Sequence, residues 1–152
     1  MVILLPKYTV EVLKDEDMQW FVETAAVNMM VEEANRPDLV NIENMYTLAS
    51  MGAIAGTAFV AKVDGVNAGV IGGVITPNMF NPTIKTLAEV FWYVLPEYRQ
   101  SRVGAMLLKE FIAQEWKADE ISMSLLASSK LKQESLIKKG FRLVEYNFIK
   151  RK

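Results

Sequence analysis

Two arginines precede the start of an expected helix and could bind an anion. Arg99 and Arg102 lie in the polar turn 97–102, and apolar residues at helical spacing follow from Val103. The first amides of a helix have no internal acceptors and together carry roughly half a positive charge. Gly104 would let a ligand approach the backbone closely. This combination predicts a site for a phosphate or pyrophosphate.

The chain contains no cysteine and no histidine, which excludes several kinds of active site. Disulfides, thiolate nucleophiles, zinc clusters and Ser-His-Asp triads all require residues that are absent here. The most common general base and metal ligand is also missing. Any catalysis must therefore use carboxylates, hydroxyls, cationic side chains and backbone dipoles, and we expect no metal.

The basic turn is expected to lie between a strand that precedes it and a helix that follows it, and these two elements must hold it in position. The apolar, aromatic run 90–95 predicts a strand buried on both faces, and Pro96 ends it because proline cannot donate to a sheet ladder. Small residues at 52–56 predict a loop, and Asp64-Gly65 predicts a hairpin turn. Further strands are expected at 8–13, 57–63, 67–75, 121–126 and 141–149, and further helices at 18–33, 42–51 and 130–139.

Length and charge favour a single domain, residues 1–152, that binds charged ligands. The 152 residues are 51% hydrophobic, which is enough for one core. Residues 1–89 hold 11 acids and 5 bases, whereas residues 90–152 hold 7 acids and 12 bases. The basic half would suit an anionic cofactor and the acidic half a cationic substrate, although ordinary scatter of surface charge explains the asymmetry equally well. The apolar start is too short to cross a membrane and lacks the basic start of a secretory signal, so we expect a cytoplasmic protein.

The turn and helix start, YRQSRVGAMLL from Tyr98, resemble the acyl-CoA signature of the GCN5-related N-acetyltransferase (GNAT) superfamily. That signature is Arg or Gln, two residues, Gly, one residue and then Gly or Ala. Arg99 takes its first position and Gly104 its last, while Arg102 replaces the usual first Gly. An arginine there can still supply its backbone amide, provided that its side chain swings clear of the pyrophosphate or binds it.

The resemblance implies acetyl-CoA as co-substrate and indicates which residues would bind it. The turn and the helix start would bind the pyrophosphate, and the backbone at the end of the preceding strand would bond the pantetheine arm. The family's frequent Asn near the start of the last helix corresponds to Ser129. The implied cofactor-binding residues are Val94, Leu95, Arg99, Gln100, Ser101, Arg102, Val103, Gly104, Ala105 and Ser129.

The expected order of elements also resembles the GNAT fold, over residues 8–150. Two helices separate the first and second strands, a hairpin follows, and then a strand-helix-strand unit. The resemblance implies an α/β (α+β) fold with a mixed, mostly antiparallel twisted sheet of six to seven strands and about four helices. Two parallel strands in this sheet would splay apart and leave the strand 90–95 with a free backbone edge.

The implied reaction moves an acetyl group from acetyl-CoA to a primary amine by direct attack. Glu89 is the candidate base, because histone-type members of the superfamily have a base glutamate at a similar place and its apolar neighbours could raise its pKa. The alternative is that Glu89 is an ordinary charge at a strand end. The family's usual tyrosine acid is replaced by Leu136. Tyr146 is then a catalytic candidate by residue type only, as are Tyr93 and Tyr98.

Two other functions fit the same sequence. A catalytically degenerate CoA-binding or protein-interaction module is favoured by Arg102 and Leu136, which both depart from the family pattern. A nucleic-acid binder that uses the basic residues after position 129 is disfavoured, because a net charge of −1 gives little long-range attraction. The acceptor is left open between a small amine, an aminoglycoside-like compound, a peptide N-terminus and a protein lysine. A homodimer is one option for the assembly.

Overall fold

One five-stranded sheet runs through the molecule, with its strands side by side in chain order. The computed structural model describes residues 2–129 and 133–152. The first four strands are antiparallel to their neighbours, and the fifth is parallel to the fourth. The strands are β1 (Tyr8–Val12), β2 (Ala58–Val63), β3 (Val66–Pro77), β4 (Lys85–Val94) and β5 (Glu120–Ser122).

Helices connect the strands and pack against both faces of the sheet. The α-helices are α1 (Asp15–Gln19), α2 (Ile42–Ala55), α3 (Val103–Ile112) and α4 (Gln133–Ile137). The helix that begins as α1 continues as π-helix over Trp20–Ala26 and Met29–Glu33, and single 3-10 turns cover Pro37–Leu39, Pro96–Tyr98 and Glu115–Lys117. Within the described ranges, no helix is both long and apolar enough to cross a lipid bilayer.

Two apolar cores, one on each face of the sheet, hold these helices in place. On one face, Phe21 packs edge-to-face against Phe91 of β4, with the ring centroids 5.1 Å apart. On the other face, α3 buries Val103, Leu107 and Phe111 against the sheet. This packing fixes the amino end of α3 beside the end of β4.

The predicted fold class is confirmed, with differences in the number and length of the elements. The sheet is mostly antiparallel with one parallel pair, and four α-helices accompany it in the described residues. It has five strands there instead of six to seven, because residues 141–149 lie in no ladder. β5 covers Glu120–Ser122 and not 121–126, since the chain beyond it finds no strand partner. The predicted helix 130–139 is seen as α4, and its first three residues lie outside the described ranges.

The predicted loop at 52–56 is wrong, because α2 continues through it to Ala55. Gly52 serves close packing and not a turn, since a β-carbon there would lie 2.9 Å from the Cβ of Ala58 on β2. The helix ends only at Gly56, whose φ of 68° is in the left-handed region that glycine adopts without strain. Small residues in this stretch therefore bring α2 onto the sheet instead of interrupting it.

The predicted hairpin turn between β2 and β3 is confirmed. Asp64 and Gly65 have φ values of 51° and 79°, and two positive values give the twist that two-residue hairpins favour. The turn also holds β1, because the Lys7 amide donates to the Asp64 carboxylate (2.9 Å) and the Asp64 amide donates to the Lys7 carbonyl (2.8 Å). The register of the first three strands is thus set at one corner of the sheet.

Gly73→Ala should lower the free energy of unfolding by about 1–3 kcal/mol, because overpacking forces the backbone to shift. A β-carbon at Gly73 would collide with the carbonyl of Ala88 on β4 and lie 2.9 Å from the ring of Phe111. Urea unfolding measures the difference. Gly104→Ala is the matched control, since its added methyl group meets only Val94 at 3.8 Å and should cause no loss. Equal stabilities of the two variants would contradict this account of the packing.

Candidate active site

Four backbone amides at the start of α3 point to no acceptor within the described chain. They belong to Gln100, Arg102, Gly104 and Ala105. The side chain of the N-cap residue, Arg102, makes no cap hydrogen bond, and the amides of Ser101 and Val103 are already used within the turn. Free amides at a helix start, together with the helix dipole, form an anion site. The predicted phosphate-binding turn therefore has the donors that such a ligand requires.

Open space lies directly beside these amides. A β-carbon built on Gly104 would meet only the Cγ2 of Val94, at 3.8 Å. The gap between the helix start and the end of β4 therefore accepts a methyl group at position 104. The free amides lie next to this end of β4.

β4 continues past its parallel neighbour and has an open edge on that side. Its pairing with β5 runs from Thr86 to Ala88, and beyond Ala88 no other described strand pairs with it on that side. The amide of Leu95 donates to the Ala68 carbonyl on β3 (2.9 Å). Because the peptide groups of successive strand residues face opposite edges, the backbone of Val94 faces the open side. The backbone of Val94 is thus positioned to bond a ligand beside the open edge of β4. The Leu95 amide is not available, because it already donates to β3.

The guanidinium of Arg99 covers the end of this open edge. Its Nε donates to the Val94 carbonyl (2.9 Å), and it lies 5.3 Å from the ring centroid of Tyr93. Its Nη2 is 3.5 Å from a carboxylate oxygen of Glu33. Burial raises the pKa of Glu33, and the positive charge of Arg99 partly opposes that effect. A ligand that needs the Val94 carbonyl must displace Arg99 or bind beside it.

The side chain of Arg102 does not lie over the free amides. Its guanidinium carbon is 4.9 Å above the ring of Tyr8, so the side chain is turned toward β1 in a cation–π contact. The backbone amide of Arg102 remains available. Arginine in place of glycine is therefore compatible with an anion at this position.

Glu89 occupies an irregular point of β4 and is only partly exposed. It pairs with Gly73, whereas Gly72 pairs with Phe91, so Val90 is an extra residue that bulges from the ladder. No hydrogen bond or ion pair joins the Glu89 carboxylate to another described residue. Burial raises its pKa to about 7. A carboxylate with this pKa can accept a proton at neutral pH and release it again.

The candidate tyrosines Tyr93 and Tyr146 differ in their surroundings. The Tyr93 hydroxyl donates to Glu32 (2.9 Å), and burial together with this hydrogen bond raises the pKa of Tyr93 to about 12. Tyr146 lies after α4 with an exposed side chain and no hydrogen bond to a described residue. Leu136 is buried in the core beneath α3. A role for Tyr146, Tyr93 or Tyr98 as the acid therefore stays a prediction.

Ser129 lies at the end of the first described range. Its amide donates to the Leu126 carbonyl (2.9 Å) in a turn after β5. The last helix, near whose start the resemblance positions it, begins at Gln133 in the described residues. A role for Ser129 at the cofactor therefore stays a prediction.

The profile of the acetyltransferase (GNAT) family matches residues 16–131. The chain belongs to this family. The matched stretch contains Glu89, the open edge of β4 and the free amides at the start of α3. A comparison with curated proteins found no significant match.

Solved structures of several acetyltransferases share this fold. The aminoglycoside N-acetyltransferase AAC(6')-Iy in complex with CoA has a TM-score of 0.67 at 17% identity, covering 100% of this chain and 99% of that one. A predicted acetyltransferase with acetyl-CoA from Clostridium acetobutylicum has a TM-score of 0.70 at 14% identity, with 97% and 96% covered. Arabidopsis thaliana Naa50, in complex with a CoA-peptide bisubstrate analogue, has a TM-score of 0.65 at 15% identity, with 91% and 85% covered.

Sequence reasoning missed two acidic residues of this GNAT protein. Glu32 and Glu33 end the first helical segment and contact Tyr93 and Arg99 next to the open edge of β4. They lie about sixty positions before their partners in the chain. No local pattern marks them, because polar residues at a helix end are also typical of a solvated surface.

Glu89→Gln should remove a pH dependence of stability. The folded-state pKa of about 7 exceeds the ordinary value of 4.5, so the protein favours the protonated carboxyl. Its contribution is complete below about pH 4.5 and is lost as the pH rises through 7. At pH 8 the glutamine variant should be more stable than wild type by about 1–3 kcal/mol. Urea unfolding at pH 4.5 and 8 measures this, with the exposed Glu97→Gln as control, and an equal pH dependence in wild type and Glu89→Gln would contradict it.

Proposed function

We propose that this GNAT acetyltransferase moves an acetyl group from acetyl-CoA to a primary amine by direct attack, without a covalent enzyme intermediate. The observation that carries the proposal is that the free amides at the start of α3 open directly onto the unpaired edge of β4. Lack of cysteine agrees with direct transfer. We also propose that residues 1–152 act as one domain, in a cytoplasmic homodimer.

In this proposal the pyrophosphate of acetyl-CoA binds the amides of the signature turn and of the first turn of α3. Ser101 and Val103 complete that turn, with the Val103 amide held by the Ser101 hydroxyl (3.3 Å). The pantetheine arm then bonds the backbone of Val94 along the open edge. The structural relatives in complex with CoA or acetyl-CoA support this choice of co-substrate.

Arg99 would change partners when the cofactor binds. Its hydrogen bond to the Val94 carbonyl occupies the strand edge that the pantetheine arm needs. A phosphate is a stronger partner for a guanidinium than a neutral carbonyl, because both partners are charged. The side chain of Arg99 would therefore exchange Val94 and Glu33 for the phosphate.

Glu89 would act as the general base. An alkyl amine has a pKa of about 10.4 and must lose a proton before or during its attack on the thioester. In the proposed step the ammonium releases one proton to solvent, the neutral amine nitrogen forms a bond to the acetyl carbon, the C–S bond breaks, and Glu89 accepts the second proton as the nitrogen becomes an amide. A backbone amide of β4 can stabilise the oxyanion. The protonated Glu89 or solvent then supplies a proton to the CoA thiolate, so no tyrosine acid is required.

The acceptor class is supported by acidic side chains near the site. Glu32 and Glu33 lie beside β4, and residues 1–89 carry an excess of acids. These acidic side chains would attract an ammonium group, which a positive field would repel. The relatives in complex with an acetylneamine analogue and with a CoA-peptide analogue both point to amine acceptors.

A CoA-binding module without catalysis is the second candidate, and the buried Leu136 favours it. Mass spectrometry after incubation with acetyl-CoA and a pool of amines and peptides separates the two functions. Acetylated products that disappear with Glu89→Gln support the transferase. CoA binding without any product would support the module.

Gly104→Glu should weaken CoA binding at least about 100-fold, or about 2.7 kcal/mol. The new side chain fills the gap beside Val94 and places a negative charge next to the phosphates. Calorimetry with CoA measures the loss. Gly104→Ala should bind as wild type does, since the gap accepts a methyl group and the family signature allows alanine. Unchanged CoA affinity in Gly104→Glu would refute the assignment of this turn.

Glu89→Gln should lower kcat by about 10²–10⁴-fold and leave the Kd for CoA unchanged. Wild-type kcat/KM should rise with pH through a midpoint near 7, where Glu89 loses its proton, and the variant should lack this rise. Steady-state kinetics from pH 5.5 to 9 provide the test. A variant with wild-type kcat and the same pH profile would show that Glu89 is not the base.

A further inference from the structure

The guanidinium of Arg102 has no anionic partner in the structure. Its side chain is exposed, and no hydrogen bond or ion pair joins it to another residue in the ranges 2–129 and 133–152. Arg99, three positions earlier in the same turn, donates to the Val94 carbonyl and lies 3.5 Å from a carboxylate oxygen of Glu33. The two arginines beside the free amides therefore differ, because Arg99 already has acceptors whereas the donors of Arg102 are available.

Tyr8 holds the guanidinium of Arg102 in a defined place. The guanidinium carbon lies 4.9 Å from the centroid of the Tyr8 ring, which is itself half-buried against the core beneath α3. A cation–π contact restrains a guanidinium without giving its N–H groups an oxygen acceptor. The planar group therefore keeps the fork of donors that matches two oxygens of a phosphate. Arg102 is thus a positioned and unused donor for an oxyanion.

Arg102 and the open edge of β4 lie on opposite sides of the helix start. Val103 packs on β3 between them, since a β-carbon at Gly69 would lie 3.1 Å from its Cγ1. Tyr8 begins β1, the first strand of the sheet, whereas Val94 ends β4, the fourth. Antiparallel pairing places these two residues at the same end of the sheet, where α3 begins. A ligand on the free amides therefore has β4 on one side and Arg102 on the other.

CoA carries a third phosphate besides the two of its pyrophosphate. It is a monoester of the ribose 3′-oxygen, and the ribose is joined to the pyrophosphate at the end opposite to the pantetheine arm. Such a phosphate has about −1.5 to −2 charges at pH 7 and three acceptor oxygens. In the proposed complex the pantetheine arm follows β4, so the ribose lies on the other side of the free amides. That is the side on which Arg102 lies.

We propose that the Arg102 side chain, held by Tyr8, binds the ribose 3′-phosphate of CoA. This inference rests on the proposed use of acetyl-CoA. It gives Arg102 a role that the usual glycine of the signature has no side chain to perform. Arg102 then determines cofactor specificity, because 3′-dephospho-CoA has the same pantetheine arm and pyrophosphate but lacks the group that Arg102 binds. Tyr8 is a positioning residue that acts through Arg102.

Calorimetry with CoA and with 3′-dephospho-CoA tests the assignment. Wild type should bind CoA at least about 10-fold more tightly, which is what a charge-assisted hydrogen bond contributes. Arg102→Gly restores the usual signature and should bind both ligands with the affinity that wild type has for 3′-dephospho-CoA. Lys109→Ala removes another exposed positive charge from α3 and should keep the wild-type preference for CoA.

The outcomes of this experiment separate the contact from the proposed function. Equal affinities of wild type for the two ligands would overturn the contact with the 3′-phosphate. A loss of affinity for both ligands by the same factor in Arg102→Gly would also overturn it, and would assign the side chain to the pyrophosphate. Failure of wild type to bind either ligand would refute the proposed use of CoA itself, and this inference with it.

Phosphorus NMR of bound CoA provides a second readout, because the 3′-phosphate and the pyrophosphate have separate resonances. A neighbouring guanidinium favours the doubly charged phosphate, so the second pKa of the 3′-phosphate should fall when CoA binds wild type. In Arg102→Gly this pKa should return toward its value in free CoA. An unchanged pKa on binding to wild type would contradict the contact.

Two variants at Tyr8 test its positioning role by the same two measurements. Tyr8→Phe keeps the aromatic ring and should keep both the preference for CoA and the lowered phosphate pKa. Tyr8→Leu removes the ring and should reduce both. Wild-type values of both quantities in Tyr8→Leu would show that Tyr8 does not position Arg102.

Discussion

The site depends on the difference in length between two parallel strands. β4 and β5 pair as far as Ala88, and β4 then continues to Val94 with no neighbouring strand on that side among residues 2–129 and 133–152. A strand edge inside a protein normally finds a partner, because unpaired amides and carbonyls are costly when they are buried. Here α3 begins at the end of the same edge, so the unpaired strand and the free helix amides form one continuous polar surface.

Packing on both faces of the sheet maintains this arrangement. The contact of Phe21 with Phe91 fixes β4 from one face, and Leu107 and Phe111 fix α3 from the other. The bulge at Val90 adjoins Glu89, whose half-buried carboxylate has no hydrogen-bond or ion-pair partner in the described part of the chain. Burial raises its pKa to about 7, the property that the proposed role of Glu89 as base in a chain without histidine requires.

The strand, turn and helix of the site could be predicted because their signals are local. Pro96 ends the apolar run, and the helical stripe begins at Val103. The contacts of Glu33 with Arg99 could not be predicted, since they join segments far apart in the chain. The predicted loop at Gly52 is wrong because glycine serves close packing as well as turns, and the local sequence does not distinguish the two. Alternation after Gly140 indicated a strand, but whether a strand forms depends on a neighbour that local sequence does not specify.

An NMR titration with CoA, following the backbone amides and the Arg99 side chain, tests the central claim most directly. The account predicts large downfield shifts for the amides of Gln100, Arg102, Gly104 and Ala105, a change at Val94, and a new environment for the Arg99 Nε–H. Shifts confined to other surfaces, with these four amides unaffected at saturating CoA, would contradict it.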